Sequence, residues 1–373
     1  MQGEGAKDMA DGPRIRVLVV DDSMLVRKLV GEVLTEGKET ALAGTAASGD
    51  QALSRIEQLR PDVVTLDVEM PGMDGLETLR QIRLRYPKLP VIMFSTLTKR
   101  GGTATLEALA LGATDYATKP TNTENLAAAK QQMERELLGK IVGLRLAVAA
   151  QRPRGTALPS KALHRPVQRR IDIVAVGTST GGPNALVELI PLLPGDLPVP
   201  VLVVQHMPPL FTGLLADRLN AKAKLKVAEG HADSRLEGGQ VWVAPGDYHM
   251  TVMRKNVDVV LELNQEESEN SCRPAVDVLF RSVARTYGPH ALGVVLTGMG
   301  SDGAKGAKAI CDAGGEVMVQ DEATSVVWGM PGAVVSAGLT DEIYPISKIA
   351  SEIVRRVSLR RWLTAMPATP AKS

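Results

Sequence analysis

At 373 residues, 44% hydrophobic and 23% charged, the chain has the composition of ordinary globular protein and enough length for two domains, each with its own core. A formal net charge of +1 argues against a protein that binds nucleic acid by neutralising phosphates, and the longest apolar run, Leu197 to Val204, is far too short to span a membrane. The two cysteines, Cys272 and Cys311, make no disulfide framework; both read as plain core residues of a cytoplasmic protein.

Residues 1–13, MQGEGAKDMADGP, contain acidic residues and no apolar run, so they read as a flexible leader and not a signal peptide. From residue 14 to residue 122, strand-like runs alternate with helical periodicity: Arg16 to Val20, Ala41 to Ala46, Val63 to Leu66, Val91 to Phe94 and Thr114 to Thr118. That alternation predicts α/β architecture, a doubly wound (βα)5 unit with a parallel sheet. Such sheets bind ligands at the carboxyl ends of their strands. There the chain places Asp21-Asp22, Asp67, Ser95-Thr96 and Lys119-Pro120. Three clustered carboxylates repel one another unless a cation binds or a proton is shared, and a hard ion such as Mg²⁺ suits an all-oxygen site open to phosphate. Helix capping accounts for Asp22 with Ser23, but not for Asp67 before VEMPGMDG or for a lysine before proline.

With DD at 21 and 22, LDVEMPGMDG at 66–75, ST at 95 and 96 and KP at 119 and 120, this region resembles a response-regulator receiver domain. The resemblance implies that Asp67 is the phosphoacceptor and that Asp22 and Asp67, supported by Asp21, hold Mg²⁺. Ser95 would contact the phosphoryl group, Lys119 would be its counter-charge, and Tyr116 stands where receivers keep a switch aromatic. The phosphodonor would be a histidine kinase.

Residues 123–170 read as a linker. Its first part is helical to Ala150, with Leu126, Met133, Leu137, Leu138, Ile141 and Leu144 on one stripe, beginning as the receiver's last helix. From Gln151, QRPRGTALPSKALHRPVQRR is basic and proline-containing, an exposed connector in which His164 is no candidate catalyst.

From residue 171 to about 360 a second α/β domain with a mostly parallel sheet is expected, from runs at Ile171 to Val176, Val199 to Val204, Val241 to Ala244, Ala291 to Leu296 and Glu316 to Val319. Residues Trp242 to Leu263 read as an inserted hairpin, and 361–373 as a flexible tail. The first strand runs into Gly177-Thr178-Ser179-Thr180-Gly181-Gly182-Pro183. Glycine permits a sharp strand-to-helix turn, Pro183 suits a first helical position, and G-x-S-x-G matches a nucleophile elbow. An anion-binding turn is the alternative for this stretch alone, so the decision rests on a base and an orienting carboxylate at the same edge. His206 follows VLVVQ at a strand's carboxyl end, whereas His290 precedes its strand, and the loops holding His231 and His249 have no readable direction. Asp302 lies in TGMGSDG after a third strand, where its alternative is a helix cap. Ser179, His206 and Asp302 then form a nucleophile, base and orienter, with the Met299 backbone N–H as an oxyanion donor. The order Ser, His, Asp departs from that of α/β-hydrolases.

GTSTGGP at 177–183, VVQHMPP at 203–209, VAPGDYHM at 243–250, RPAVDVLF at 273–280, LTGMGSDG at 296–303 and WGMPGAV at 328–334 resemble the catalytic domain of the chemotaxis protein-glutamate methylesterase (CheB) family. The resemblance places Ser179, His206 and Asp302 on the family's triad, Met299 on its oxyanion donor and Thr180 beside the nucleophile. It implies demethylation of γ-glutamyl methyl esters on the cytoplasmic helices of chemoreceptors, and deamidation of receptor glutamines, with no cofactor for hydrolysis. Thr178 and Trp328 depart from the residues usual there. The receiver is expected to regulate the esterase, its unphosphorylated form covering the edge that bears Ser179. No nucleic-acid partner and no membrane insertion are expected, and a monomer is the default. A non-enzymatic anion-binding module, a transcriptional regulator and a metalloenzyme are the rival readings; the charge and the want of a helix-turn-helix pattern weigh against the second, and scattered histidines without HExxH or clustered His/Cys spacing against the third.

Overall fold

The protein is described here by a computed structural model covering residues 14–120, 126–150 and 170–358. The leader, the basic segment with His164 and the tail from residue 361 lie outside the described residues. The chain divides into two compact units, one through Val148 and one from Ala149.

In the first unit, strands β1 (Ile15–Val20), β2 (Thr40–Ala46), β3 (Val63–Asp67), β4 (Val91–Ser95) and β5 (Asp115–Thr118) form a parallel sheet in the order β2-β1-β3-β4-β5. Helices α1 (Met24–Glu36), α2 (Gly49–Leu59), α3 (Gly75–Arg85) and α4 (Lys99–Ala110) connect them. Each helix opens on a side-chain cap, because Ser23, Ser48, Asp74 and Thr98 accept the N–H of Val26, Gln51, Glu77 and Gly101. Ser23, not Asp22, caps α1, so the aspartate is left for another task.

Helix α5 (Leu126–Met133) continues through a π-helical turn (Glu134–Leu138) into α6 (Gly139–Ala150). Met133, Leu137, Ile141 and Leu144 are buried along one stripe, and Lys140 reaches Asp115 at 3.0 Å while Thr118 donates to Glu136. The helical part of the stretch read as linker therefore packs within the first unit.

The second unit is built on a seven-stranded sheet in the order β14-β13-β12-β6-β7-β9-β8, parallel throughout. In chain order its elements are β6 (Ile173–Thr178), α7 (Gly182–Leu189), β7 (Val201–Gln205), α8 (Phe211–Asn220), β8 (Lys226–Glu229) and β9 (Gln240–Val243). They continue with β10 (His249–Lys255), β11 (Asp258–Asn264), α9 (Val276–Tyr287), β12 (Ala291–Val295), α10 (Ala304–Asp312), β13 (Glu316–Gln320), α11 (Gly329–Ser336), β14 (Ile343–Tyr344) and α12 (Ile346–Ser358). The central strands are buried on both faces, which explains their unbroken Val, Ile and Leu runs. The hairpin expected over Trp242 to Leu263 is shorter. Trp242 sits in β9 of the main sheet, and only β10 and β11 pair antiparallel, as a separate ribbon.

Strands β12, β6 and β7 are adjacent, and the chain winds away from β6 in both directions. Their carboxyl ends share the crevice where doubly wound sheets place ligands.

Candidate active site

At the end of β6 the chain turns through Ser179 and Thr180 into α7, with Gly181 in the left-handed region at φ 78°. A side chain on Gly182 would collide with the Gln205 amide and the Thr178 hydroxyl, so glycine is required for the turn to lie against β7. Thr178 is buried and its hydroxyl donates to the Thr297 carbonyl at 2.9 Å, tying β6 to the loop after β12. Thr180 is also buried, and its carbonyl accepts from the Thr297 hydroxyl at 2.9 Å. Ser179 is half-buried, its N–H bonded to the Thr297 carbonyl at 3.0 Å, and its hydroxyl makes no hydrogen bond among the described residues.

His206 follows β7 and its backbone N–H donates to the Thr178 carbonyl at 3.2 Å, holding it beside the serine turn. Its Nε2–H donates to Asp302 Oδ2 at 2.8 Å. Asp302 lies in the loop after β12 and is almost wholly buried. Oδ2 also accepts the Val276 N–H at 2.7 Å, while Oδ1 accepts the Asp277 N–H at 3.0 Å, the Gly303 N–H at 2.9 Å and Asn270 Nδ2 at 2.8 Å. Asp302 thus caps α9, across the loop, and orients the histidine with the same carboxylate. Burial alone would raise its pKa, but the His206 contact and these N–H donors outweigh that and lower it to about 2. For His206, burial favours the neutral ring, but the Asp302 carboxylate and the Cys272 sulfur outweigh it and raise the imidazole to about 9.

Cys272 is a correction to the sequence reading. It is half-buried, and its Sγ lies 3.4 Å from His206 Nδ1, whereas Cys311 only donates to the Leu339 carbonyl. Cys272 is delivered by a two-residue turn from Glu269 to Cys272, closed by reciprocal backbone bonds, in which Asn270 and Ser271 both have positive φ, at 53° and 61°. Asn270 in that turn bridges Asp302 and Asp277, donating to Asp277 Oδ2 at 3.0 Å. Asn270, Asp277 and Gln205 were not singled out from sequence. The available signal was an Asn-Ser pair, suited to left-handed backbone, just before RPAVD.

Met299 is on the exposed rim of the loop after β12, and its N–H meets no acceptor among the described residues. The remaining described histidines lie apart from this constellation. His249 is buried and accepts the Ala275 N–H, His290 contacts the Arg170 carbonyl before β12, and His231 is exposed.

In the first unit, Asp21, Asp22 and Asp67 bring carboxylate oxygens within 4.8 Å of one another. Lys119 Nζ lies 2.8 Å from Asp21 and 2.7 Å from Asp67, and buried Ser95 borders the same edge at the end of β4. Burial and then the Asp21 charge raise Asp67 to about 6. One ammonium does not balance three carboxylates, and the all-oxygen donor set fits a hard divalent cation. Tyr116 is buried in β5.

Comparisons with known proteins agree with both halves. The CheB methylesterase family model matches residues 174–353, and the response regulator receiver domain model matches residues 17–131. A protein-glutamate methylesterase/protein-glutamine glutaminase of Trichodesmium erythraeum is 47% identical over 350 residues, covering 92% of this chain and 99% of that protein. One of the same name from Nocardioides sp. is 48% identical, covering 94% and 97%, and one from Maricaulis maris is 42% identical, covering 91% and 95%. Motifs, topology and similarity along nearly the whole length converge, and the chain belongs to the CheB family of receiver-linked protein-glutamate methylesterases/protein-glutamine glutaminases.

Proposed function

We propose that this chain is a serine hydrolase of the chemotaxis adaptation system. It removes methyl groups from γ-glutamyl methyl esters on chemoreceptor cytoplasmic helices, deamidates receptor glutamines at the same site, and is controlled by phosphate received on Asp67 from a histidine kinase. The observation that carries the reading is the His206–Asp302 pair, 2.8 Å apart at the carboxyl edge that also presents Ser179.

With Nε2 committed to Asp302, Nδ1 is the nitrogen that serves as base. Ser179 Oγ attacks the ester carbonyl and passes its proton to Nδ1, while the Met299 N–H supports the oxyanion. The tetrahedral intermediate expels methanol, which takes the proton from His206. Water, deprotonated by the same ring, then attacks the acyl-enzyme; Ser179 leaves as the alcohol and the product is glutamate. A glutamine substrate follows the same steps with ammonia leaving. Thr180 holds the turn beside the nucleophile through its carbonyl bond to Thr297.

In the receiver, Asp22 and Asp67, supported by Asp21, would hold Mg²⁺, whose charge offsets that of an incoming phosphoryl group. Lys119 offsets part of the negative charge and Ser95 offers its hydroxyl. Phosphate on Asp67 shifts an equilibrium that restrains the esterase, supplying the differential energy such a shift requires. No helix among the described residues is long and apolar enough to cross a membrane, in keeping with action on receptors from the cytoplasm.

The test is methanol release from a methylated receptor cytoplasmic fragment. Wild type is expected to release methanol, faster with Mg²⁺ and a small phosphodonor, and Ser179→Ala to release none. No release by folded, phosphorylated wild type would leave an anion-binding module as the better reading.

A further inference from the structure

Nδ1 of His206 is the nitrogen the proposed reaction needs, and its hydrogen-bond partner among the described residues is Cys272, not Ser179. The Cys272 sulfur lies 3.4 Å from it, while the Ser179 hydroxyl makes no hydrogen bond among the described residues. The imidazole has two nitrogens, and Asp302 holds the other at 2.8 Å. A thiol would donate its S–H to Nδ1, and a thiolate would accept an N–H from it. In both arrangements the lone pair that must receive the serine proton is occupied.

Cys272 is not needed to orient the ring. The Asp302 carboxylate does that, fixed by three backbone N–H groups and by Asn270. Cys272 Sγ stands 3.4 Å from His206 Nδ1. It is set there by the tight turn from Glu269 to Cys272, whose central residues both take left-handed backbone and whose Asn270 is anchored on Asp302 and Asp277. One short turn therefore steadies the carboxylate and presents a competitor to the base.

We propose that Cys272 is a positioning residue that competes with Ser179 for His206 Nδ1, holding the base in a resting arrangement from which the serine must displace it. The inference rests on the assignment of Ser179 as nucleophile and His206 as base. Removing the thiol raises the reactivity of Ser179, and a bulky group on the sulfur abolishes it.

The experiment uses the full chain and two probes, a fluorophosphonate that labels the nucleophilic serine and a peptide carrying a glutamate γ-methyl ester. Cys272→Ala is expected to raise the second-order labelling rate and kcat at least threefold with KM unchanged, and Cys272→Ser, which restores a donor, to return both toward wild type. Iodoacetamide on wild type forms an S–C bond as iodide leaves and the thiol proton is lost. That modification, located on Cys272 by mass spectrometry, is expected to cut labelling more than tenfold, while Cys272→Ala under the same treatment keeps its rate and so controls for Cys311. A labelling rate in both folded variants equal to or below wild type, or full labelling of wild type alkylated at Cys272, overturns the proposal. Ser179→Ala separates the two levels: if it is unlabelled while the Cys272 variants match wild type, only the competition is wrong, whereas labelling that persists in Ser179→Ala removes the assignment beneath it.

Discussion

In the proposed mechanism His206 is the residue on which the chemistry turns, and its protonation gives a direct expectation. A base must be neutral to act, and Asp302 and Cys272 hold this ring's pKa at about 9 against the opposing effect of burial. Ester hydrolysis by the resting enzyme is therefore expected to rise with pH from neutrality toward about 9, and a rate profile of kcat/KM that is flat from pH 6 to 9 would contradict it. Stability carries the complementary sign. A histidine raised from 6.5 to about 9 in the folded state stabilises fully below pH 6.5 and loses that contribution as pH climbs through 9. Asp302, lowered from 3.8 to about 2, stabilises fully above pH 3.8 and loses its contribution as pH falls through 2. The stability gap between wild type and His206→Gln in denaturant titrations should therefore shrink from pH 6 to pH 9. Asn270 makes a second case at this scale, since its amide is the only side-chain donor among the described residues bridging Asp302 and Asp277. Asn270→Ala leaves two buried carboxylates facing each other and is expected to cost about 1 to 3 kcal/mol of stability and a measurable part of kcat. Unchanged melting and unchanged turnover would show the bridge to be incidental.

Among the elements, the helix from Leu126 to Ala150 shows how a stretch that looks like a connector becomes structure. Its apolar stripe alone would let it slide along β5 and α1. Polar contacts fix the register, with Lys140 on the Asp115 carboxylate and the Tyr116 carbonyl, Glu136 on Thr118, and Lys130 on Glu36. Asp115 is buried, so losing Lys140 removes its ion-pair partner and leaves, among the described residues, only the Tyr116 N–H on Oδ1. Lys140→Met is expected to destabilise the receiver by about 2 kcal/mol, less than for a fully buried pair because the lysine keeps 21% of its side-chain exposure. Chemical denaturation followed on the first unit reads this directly, and a shift below about 0.5 kcal/mol would mean that the stripe alone holds the helix.

At the scale of the whole molecule, a hydrolase and a receiver in one chain make sense only if one responds to the other. Asp67→Asn is expected to leave basal methanol release near that of wild type and to abolish its rise with phosphodonor. Removing residues 1–150 is expected to raise basal release if, as proposed, the receiver restrains the esterase. An Asp67→Asn protein that still responds to phosphodonor would move the phosphoacceptor elsewhere, and a truncated protein with unchanged basal release would replace restraint with direct activation.

The sequence by itself determined the two α/β units and the carboxyl-end placement of the motif residues, because strand direction follows from the order of strand, turn and helix. It could place Ser179, His206 and Asp302 each after a strand for that reason. Only the tertiary structure decided that β12, β6 and β7 are neighbours, since strand order within a parallel sheet depends on crossovers that no local pattern encodes. It also decided the partner of His206 Nδ1. Cys272 is 66 residues away in sequence and arrives through a turn whose residues look unremarkable one by one. The same holds for Asp302, which caps α9, a helix that precedes it in the chain and that no linear reading pairs with it. Side chains that meet across such distances are brought together by packing, and packing is a property of the assembled fold.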